Sequence, residues 1–171
     1  MTDQPRRAYV LTVSDGVVAG TRRDESGAAL AERLSSAGYA VDRGAVADDA
    51  ADIAAAVVAA AGGHDLVITT GGTGLTPRDV TPQAVLPLLD YVVPGLGEAM
   101  RADGRRSTPF ALLSRSFGGV IGAALVLAVP GSPNGALESL EAVLPVLTHA
   151  HETLAGDSRR HGADGQAAAA R

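Results

Sequence analysis

The sequence predicts an α/β fold, a three-layer sandwich in which a mostly parallel sheet is flanked by helices. Three observations predict it. Short apolar runs alternate with longer helical patterns, the arrangement that gives parallel strands joined by crossover helices. The runs are apolar at nearly every position, as in strands buried on both faces. Polar or glycine-rich segments follow four of them, and open α/β sheets bind ligands outside the carboxyl ends of their strands.

Ala8 to Val13 reads as the first strand, followed by a polar loop from Ser14 to Glu25. Ser26 can cap a helix to about Ala37, with Ala28, Leu30, Ala31 and Leu34 on its apolar side and Gly38 as its stop. Tyr39 to Val46 is a weaker second strand. Asp48 or Asp49 caps a helix carrying Ile53, Val57 and Val58 that stops at Gly62-Gly63, and Leu66 to Thr70 is the third strand. Thr81 as cap and Pro82 at the first helical position open a helix to about Asp90. Gly95 to Ala102 reads as another helix, Asp103 to Ser107 as a polar loop, and Leu112 to Ile121 fits helix or strand. Ala123 to Val129 is a strand, and Leu137 to Leu154 an amphipathic helix interrupted at Pro145. One domain is expected over residues 1–155. The polar, then Ala-rich segment 156–171 reads as a disordered tail.

The length of 171 residues suits one domain, and a 46% hydrophobic composition with 3% aromatics implies a core of Ala, Val and Leu. A net charge of -5 argues against a nucleic-acid partner, because phosphate backbones demand a basic surface. One small anion held in a local cradle remains compatible with that charge. The chain has no cysteine, which removes disulfides, thiolate catalysis and Cys-type zinc sites. The segment Met1 to Arg7 is polar and lacks a secretory apolar core. No apolar stretch is long enough to span a membrane, so a cytoplasmic protein is expected. Lysine is absent, so any cation at a site must be arginine.

The most informative segment is Thr69-Thr70-Gly71-Gly72-Thr73-Gly74-Leu75-Thr76-Pro77-Arg78-Asp79. Glycine lets backbone approach a ligand without a Cβ in the way, and the exposed N–H groups of such a turn form a concave anion site. Neither a P-loop nor a dinucleotide fingerprint occurs in the chain. Asp48 and Asp79 each follow a strand and precede a helix, so both can face one cleft. Mg²⁺ binds through one or two carboxylates plus substrate phosphates, which such a pair fits. Helix capping is the alternative role, more so for Asp48 than for Asp79, because Thr81 is available as a cap. Ser14 and Asp15, after the first strand, and Pro130-Gly131-Ser132-Pro133, after the late one, fall on the same edge. Ser114-Arg115 offers a phosphate contact. The pairs Arg22-Arg23 and Arg105-Arg106 read as solvated, with one of them a candidate for a triphosphate. His64, His149, His151 and His161 carry no evident signal.

These residues resemble a known family. Thr70 to Asp79, with Ser14-Asp15 before it and Leu127 to Pro133 after it, is similar to the MogA/MoaB group of molybdopterin adenylyltransferases and to the G domain of gephyrin. Gly97-Glu98, Met100-Arg101 and Leu113-Ser114-Arg115 also resemble family motifs, and the likeness covers roughly Ala8 to Leu154. It implies a molybdopterin-binding-like fold that usually forms a homotrimer. The implied reaction is adenylylation of molybdopterin by ATP, assisted by Mg²⁺, with pyrophosphate released. The product would then pass to a molybdate-inserting enzyme. Asp48 and Asp79 would hold Mg²⁺ and orient the triphosphate. Gly71, Gly72, Thr73 and Gly74, in a motif that includes Thr76, would cradle the pterin phosphate. Glu98 and Ser114 would line the pterin side. Ser14, Asp15, Pro130, Gly131, Ser132 and Pro133 would line the nucleotide side. The family often has Pro before its second acidic residue and this chain has Ala47, so Asp49 stands as the alternative to Asp48. The competing function is a protein that binds molybdopterin without adenylylating it.

Overall fold

The computed structural model describes residues 4–156; the expected tail from 157 onward lies outside them. Among the described residues are six strands: β1 (Arg7–Val13), β2 (Ala40–Val46), β3 (Leu66–Thr70), β4 (Tyr91–Val92), β5 (Phe117–Ile121) and β6 (Ala124–Val129). They form one sheet in the order β2-β1-β3-β6-β5-β4. The first four in that order pair in parallel, while β5 and β4 extend the sheet antiparallel. The segment that fitted either helix or strand contains both forms: a 3₁₀ turn, Pro109–Leu113, and then β5. A two-residue turn at Gly122-Ala123 folds β5 back onto β6, which a parallel crossover could not do in so short a span.

Six helices among the described residues cover the sheet: α1 (Asp15–Val18), α2 (Glu25–Ser36), α3 (Ala50–Ala61), α4 (Thr81–Val85), α5 (Pro94–Gly104) and α6 (Pro133–Leu154). Val10, Ile68 and Leu127 stand side by side across β1, β3 and β6. They pack with Leu30 and Leu34 of α2, Leu96 and Met100 of α5, and Leu140, Val143 and Leu147 of α6. The alternate residues Leu11, Val67 and Val126 face the other way, onto Ile53 and Val57 of α3 and Ala84 and Val85 of α4. Both faces of the sheet are therefore buried, as its unbroken apolar runs require. Each fully buried Leu or Ile contributes about 2 kcal/mol.

Several local expectations are corrected. The polar loop after β1 contains the short α1, capped by Ser14. Asp24, not Ser26, caps α2, accepting from the Gly27 N–H at 2.9 Å. Asp49 caps α3, accepting from Ala51 and Asp52. Thr81 caps nothing; it opens α4, and its hydroxyl donates to the Gly71 carbonyl at 2.8 Å. The helix expected to reach Asp90 ends at Val85 and continues as a 3₁₀ turn, Leu86–Leu88, because Pro87 cannot donate the next ladder bond. Pro145 does not interrupt α6: Val143 and Leu147 on either side of it are both buried in the core.

Candidate active site

The carboxyl ends of β1, β2, β3 and β6 open into one cleft of about 1070 Å³, lined by Ser14, Asp48, Gly71 to Gly74, Asp79, Ser114 and Pro130 to Pro133. The chain turns outward from β1 to β2 and returns on the far side as β3. The cleft thus lies where the direction of winding reverses, the expected ligand crevice of an open α/β sheet.

The glycine loop is pinned from three sides. Its start is tied to β6 by the Gly71 N–H to the Val129 carbonyl at 3.2 Å and by the Thr70 hydroxyl to the Pro130 carbonyl at 2.8 Å. The Thr81 hydroxyl holds the Gly71 carbonyl from the helix side. Gly71 has φ +108 and Gly72 φ +67, and a Cβ on Gly71 would stand 2.4 Å from the Val13 carbonyl oxygen. The loop can approach a ligand this closely only because these positions are glycine. Arg115 supplies the third support. Its N–H donates to the Thr73 carbonyl, and its guanidinium donates to the Gly74 and Asp79 carbonyls and to Gln83.

The two carboxylates are placed differently. Asp49 takes the cap of α3, whereas Asp48 lines the cleft. The Asp48 carboxylate accepts from the Asp15 N–H at 2.9 Å, and the Asp15 carboxylate accepts from the Asp48 N–H at 3.0 Å. Arg78 closes on the second oxygen of Asp15. The chain Arg78–Asp15–Asp48 therefore joins the glycine loop to the corner after β2. Partial burial pushes the Asp48 carboxyl above its ordinary value, and the charge of Asp79 pushes it further, against an opposing pull from Arg22. Burial would raise Asp79 too. The Thr76 hydroxyl and N–H, the Gly74 N–H and the Arg115 guanidinium outweigh it and hold Asp79 below its ordinary value.

Two like charges that repel one another across a cleft beside the glycine loop fit an oxygen-binding cation such as Mg²⁺, whose remaining positions phosphate oxygens and water would fill. Among the described residues no group of three or more His, Cys, Asp or Glu forms a self-contained metal cage.

Not every expected site residue reaches the cleft. Asp15, Thr76 and Arg115 stand behind its wall and hold the residues that line it. Glu98 is exposed on α5 and does not line the cleft. Ser114 does, with its hydroxyl 2.8 Å from that of Ser116. Phe110 and Ser139 line the cleft without having been singled out in the sequence, and Met100 and Arg101 line it with no signal beyond their shared motif; Arg101 donates to the Ser116 carbonyl. For Phe110 and Ser139 the sequence carried no motif, only an irregular segment and an amphipathic helix. Of the two arginine pairs, Arg22-Arg23 lines the cleft and Arg105-Arg106 does not.

A family model described as "Probable molybdopterin binding domain" matches residues 9–149. A bifunctional molybdenum cofactor biosynthesis protein of Chlorobaculum tepidum is 41% identical over 153 residues, 88% of this chain and 49% of that protein. The chain spans about half the length of the first curated relatives it matches. A molybdopterin adenylyltransferase of Helicobacter pylori strain J99 is 35% identical over 155 residues, covering 86% of this chain and 87% of the relative. The solved structure of the molybdopterin biosynthesis enzyme MoaB from Thermus thermophilus superposes with a TM-score of 0.80 at 48% identity, covering 88% of this chain and 97% of that one.

Proposed function

Since this chain belongs to the molybdopterin-binding domain family of molybdenum cofactor biosynthesis, we propose that it is a molybdopterin adenylyltransferase, joining molybdopterin to AMP from ATP with release of pyrophosphate. The observation that carries the reading is the pairing of Asp48 and Asp79 across one cleft with the pinned glycine loop between them.

A phosphate oxygen of molybdopterin attacks the α-phosphorus of ATP. The new P–O bond forms as the bond to the β-bridging oxygen breaks, and that oxygen leaves with its electron pair as pyrophosphate. Such a transfer needs positioning and charge neutralisation rather than a covalent nucleophile. Gly72 and Thr73, between the engaged N–H groups of Gly71 and Gly74, offer their backbone N–H groups to the attacking phosphate, with Ser114 on the pterin side. Ser14 and the Pro130–Pro133 turn bound the nucleotide side. Asp48 and Asp79 would hold Mg²⁺, which supplies charge neutralisation at the phosphates. Asp79 is held ionised by its donors. Asp15, Thr76, Arg78 and Arg115 fix the loops that carry the working groups.

The reading extends to a cytoplasmic homotrimer that hands its product to a molybdate-inserting enzyme. Leu75, Phe110 and Leu113, exposed around the cleft, support an assembly that covers them. The relatives of twice this length, bifunctional in name, support the hand-over.

The test is pyrophosphate release by the purified protein with molybdopterin, ATP and Mg²⁺, with Asp79→Asn as control. Release that requires molybdopterin and is lost in the variant supports the enzyme. Molybdopterin binding without release moves the chain to a binding role.

A further inference from the structure

The chain has no lysine, so the charge on a nucleoside triphosphate must be met by arginine or by a metal. Most described arginines are already engaged. Arg6, Arg7, Arg33 and Arg106 pair with carboxylates on other parts of the surface, and Arg43 pairs with Asp24 at the cleft wall. Near the cleft, Arg78 is taken by Asp15, Arg101 by the Ser116 carbonyl, and Arg115 by the carbonyls of the glycine loop. Among the described residues that line the cleft, Arg22 and Arg23 are the cations whose guanidiniums make no hydrogen bond or ion pair.

Their backbone is not loose. The N–H groups of Thr21 and Arg22 both donate to the Gly16 carbonyl at 2.9 Å, and the Thr21 hydroxyl reaches the same oxygen. Immediately downstream, Asp24 caps α2 while accepting from the Thr12 hydroxyl and pairing with Arg43. A pinned loop thus carries two unpaired guanidiniums into the cleft wall, and Arg22 is close enough to pull on the Asp48 carboxyl.

We propose that Arg22 and Arg23 bind the β- and γ-phosphates of the nucleoside triphosphate and take up the charge of the departing pyrophosphate. This rests on the adenylyltransferase reading for the identity of the ligand. A planar guanidinium offers paired donors to phosphate oxygens, and charge that grows on the leaving group is best met by donors already in place.

The experiment compares binding of inorganic pyrophosphate, ATP and AMP, each with Mg²⁺, to the wild type, Arg22→Gln, Arg23→Gln and the double variant by calorimetry, alongside KM and kcat for pyrophosphate release. Each single change weakens pyrophosphate and ATP about tenfold, as loss of a charge-assisted bond does, and the double change more, while AMP affinity moves less than about twofold. Lysine at both positions restores part of the loss, since it keeps the charge but not the fork. Equal losses for ATP and AMP, or unchanged pyrophosphate binding in a folded double variant, overturn the assignment. Turnover by the wild type with unaltered KM for ATP in the variant overturns it while leaving the adenylyltransferase reading intact. Arginine-dependent pyrophosphate binding in a wild type without turnover keeps the phosphate site and removes the proposed reaction.

Discussion

The two edges of the sheet treat charge in opposite ways. At the amino edge, Arg7 pairs with Asp42, which also meets His64 Nε2 at 2.9 Å, and Arg6 stands 4.0 Å from Asp65. Charges there are matched within the protein. At the carboxyl edge, Asp48 and Asp79 repel one another and two arginines have no partner among the described residues. A folded chain gains nothing from leaving charge in that condition, so the carboxyl edge is the one built for charge arriving from outside. The two acids divide the task further. Asp79 is surrounded by donors before any ligand comes, whereas Asp48 has the Asp15 N–H, a like charge across the cleft and the pull of Arg22.

The sharpest way to break this comparison is Asp79→Asn. Loss of one preorganised electrostatic group should slow adenylylation by about a hundredfold or more, while pterin binding is retained. Full turnover in a pyrophosphate assay would remove Asp79 from the site. Asp48→Asn separates stability from activity. The amide oxygen can still accept from Asp15, but the repulsion disappears, so turnover should fall by about tenfold or more while the melting temperature rises by roughly 2 °C. A lower melting temperature would show that Asp48 is not held against its preference. Asp42→Asn at the other edge should do the reverse, leaving turnover unchanged and lowering the melting temperature only slightly, since solvent screens an exposed pair.

The smallest effect concerns pH. His151 is buried, with Nε2 3.0 Å from the Tyr39 hydroxyl and Nδ1 without a partner among the described residues. Burial and the nearby Arg6 lower its pKa from 6.5, against an opposing effect of Asp65. The unfolded chain therefore takes up a proton at a higher pH than the folded one. The stability associated with neutral His151 is present above about pH 6.5 and is lost as the pH falls through the depressed folded value. Thermal melts should slope downward below that point in the wild type and less so in His151→Gln; equal slopes would contradict the assignment.

Much of this was legible from the sequence. The central strands β1, β3 and β6 announce themselves because burial on both faces leaves no polar alternation, and the glycine loop because its residues suit close backbone approach and little else. β5 was not legible. Its Gly118 and Gly119 lack strand preference and are present because Leu96 and Leu89 pack against the backbone there. The roles of Arg115 and Thr81 were hidden for another reason: a phosphate-binding arginine and one that fastens a loop have the same composition and spacing. Only the direction of the side chain distinguishes them, and that depends on carbonyls more than thirty residues away in the chain. The same holds for Arg22-Arg23 against Arg105-Arg106.

The mutual bond between Asp15 and Asp48 has one more consequence. The Asp15 amide opens α1, where no intrahelical acceptor exists, and its shelter from solvent comes from the Asp48 carboxylate. Any ligand that draws that carboxylate to itself uncovers the amide. The rate at which this single hydrogen exchanges for deuterium then becomes an internal gauge of cleft occupancy, readable without turnover.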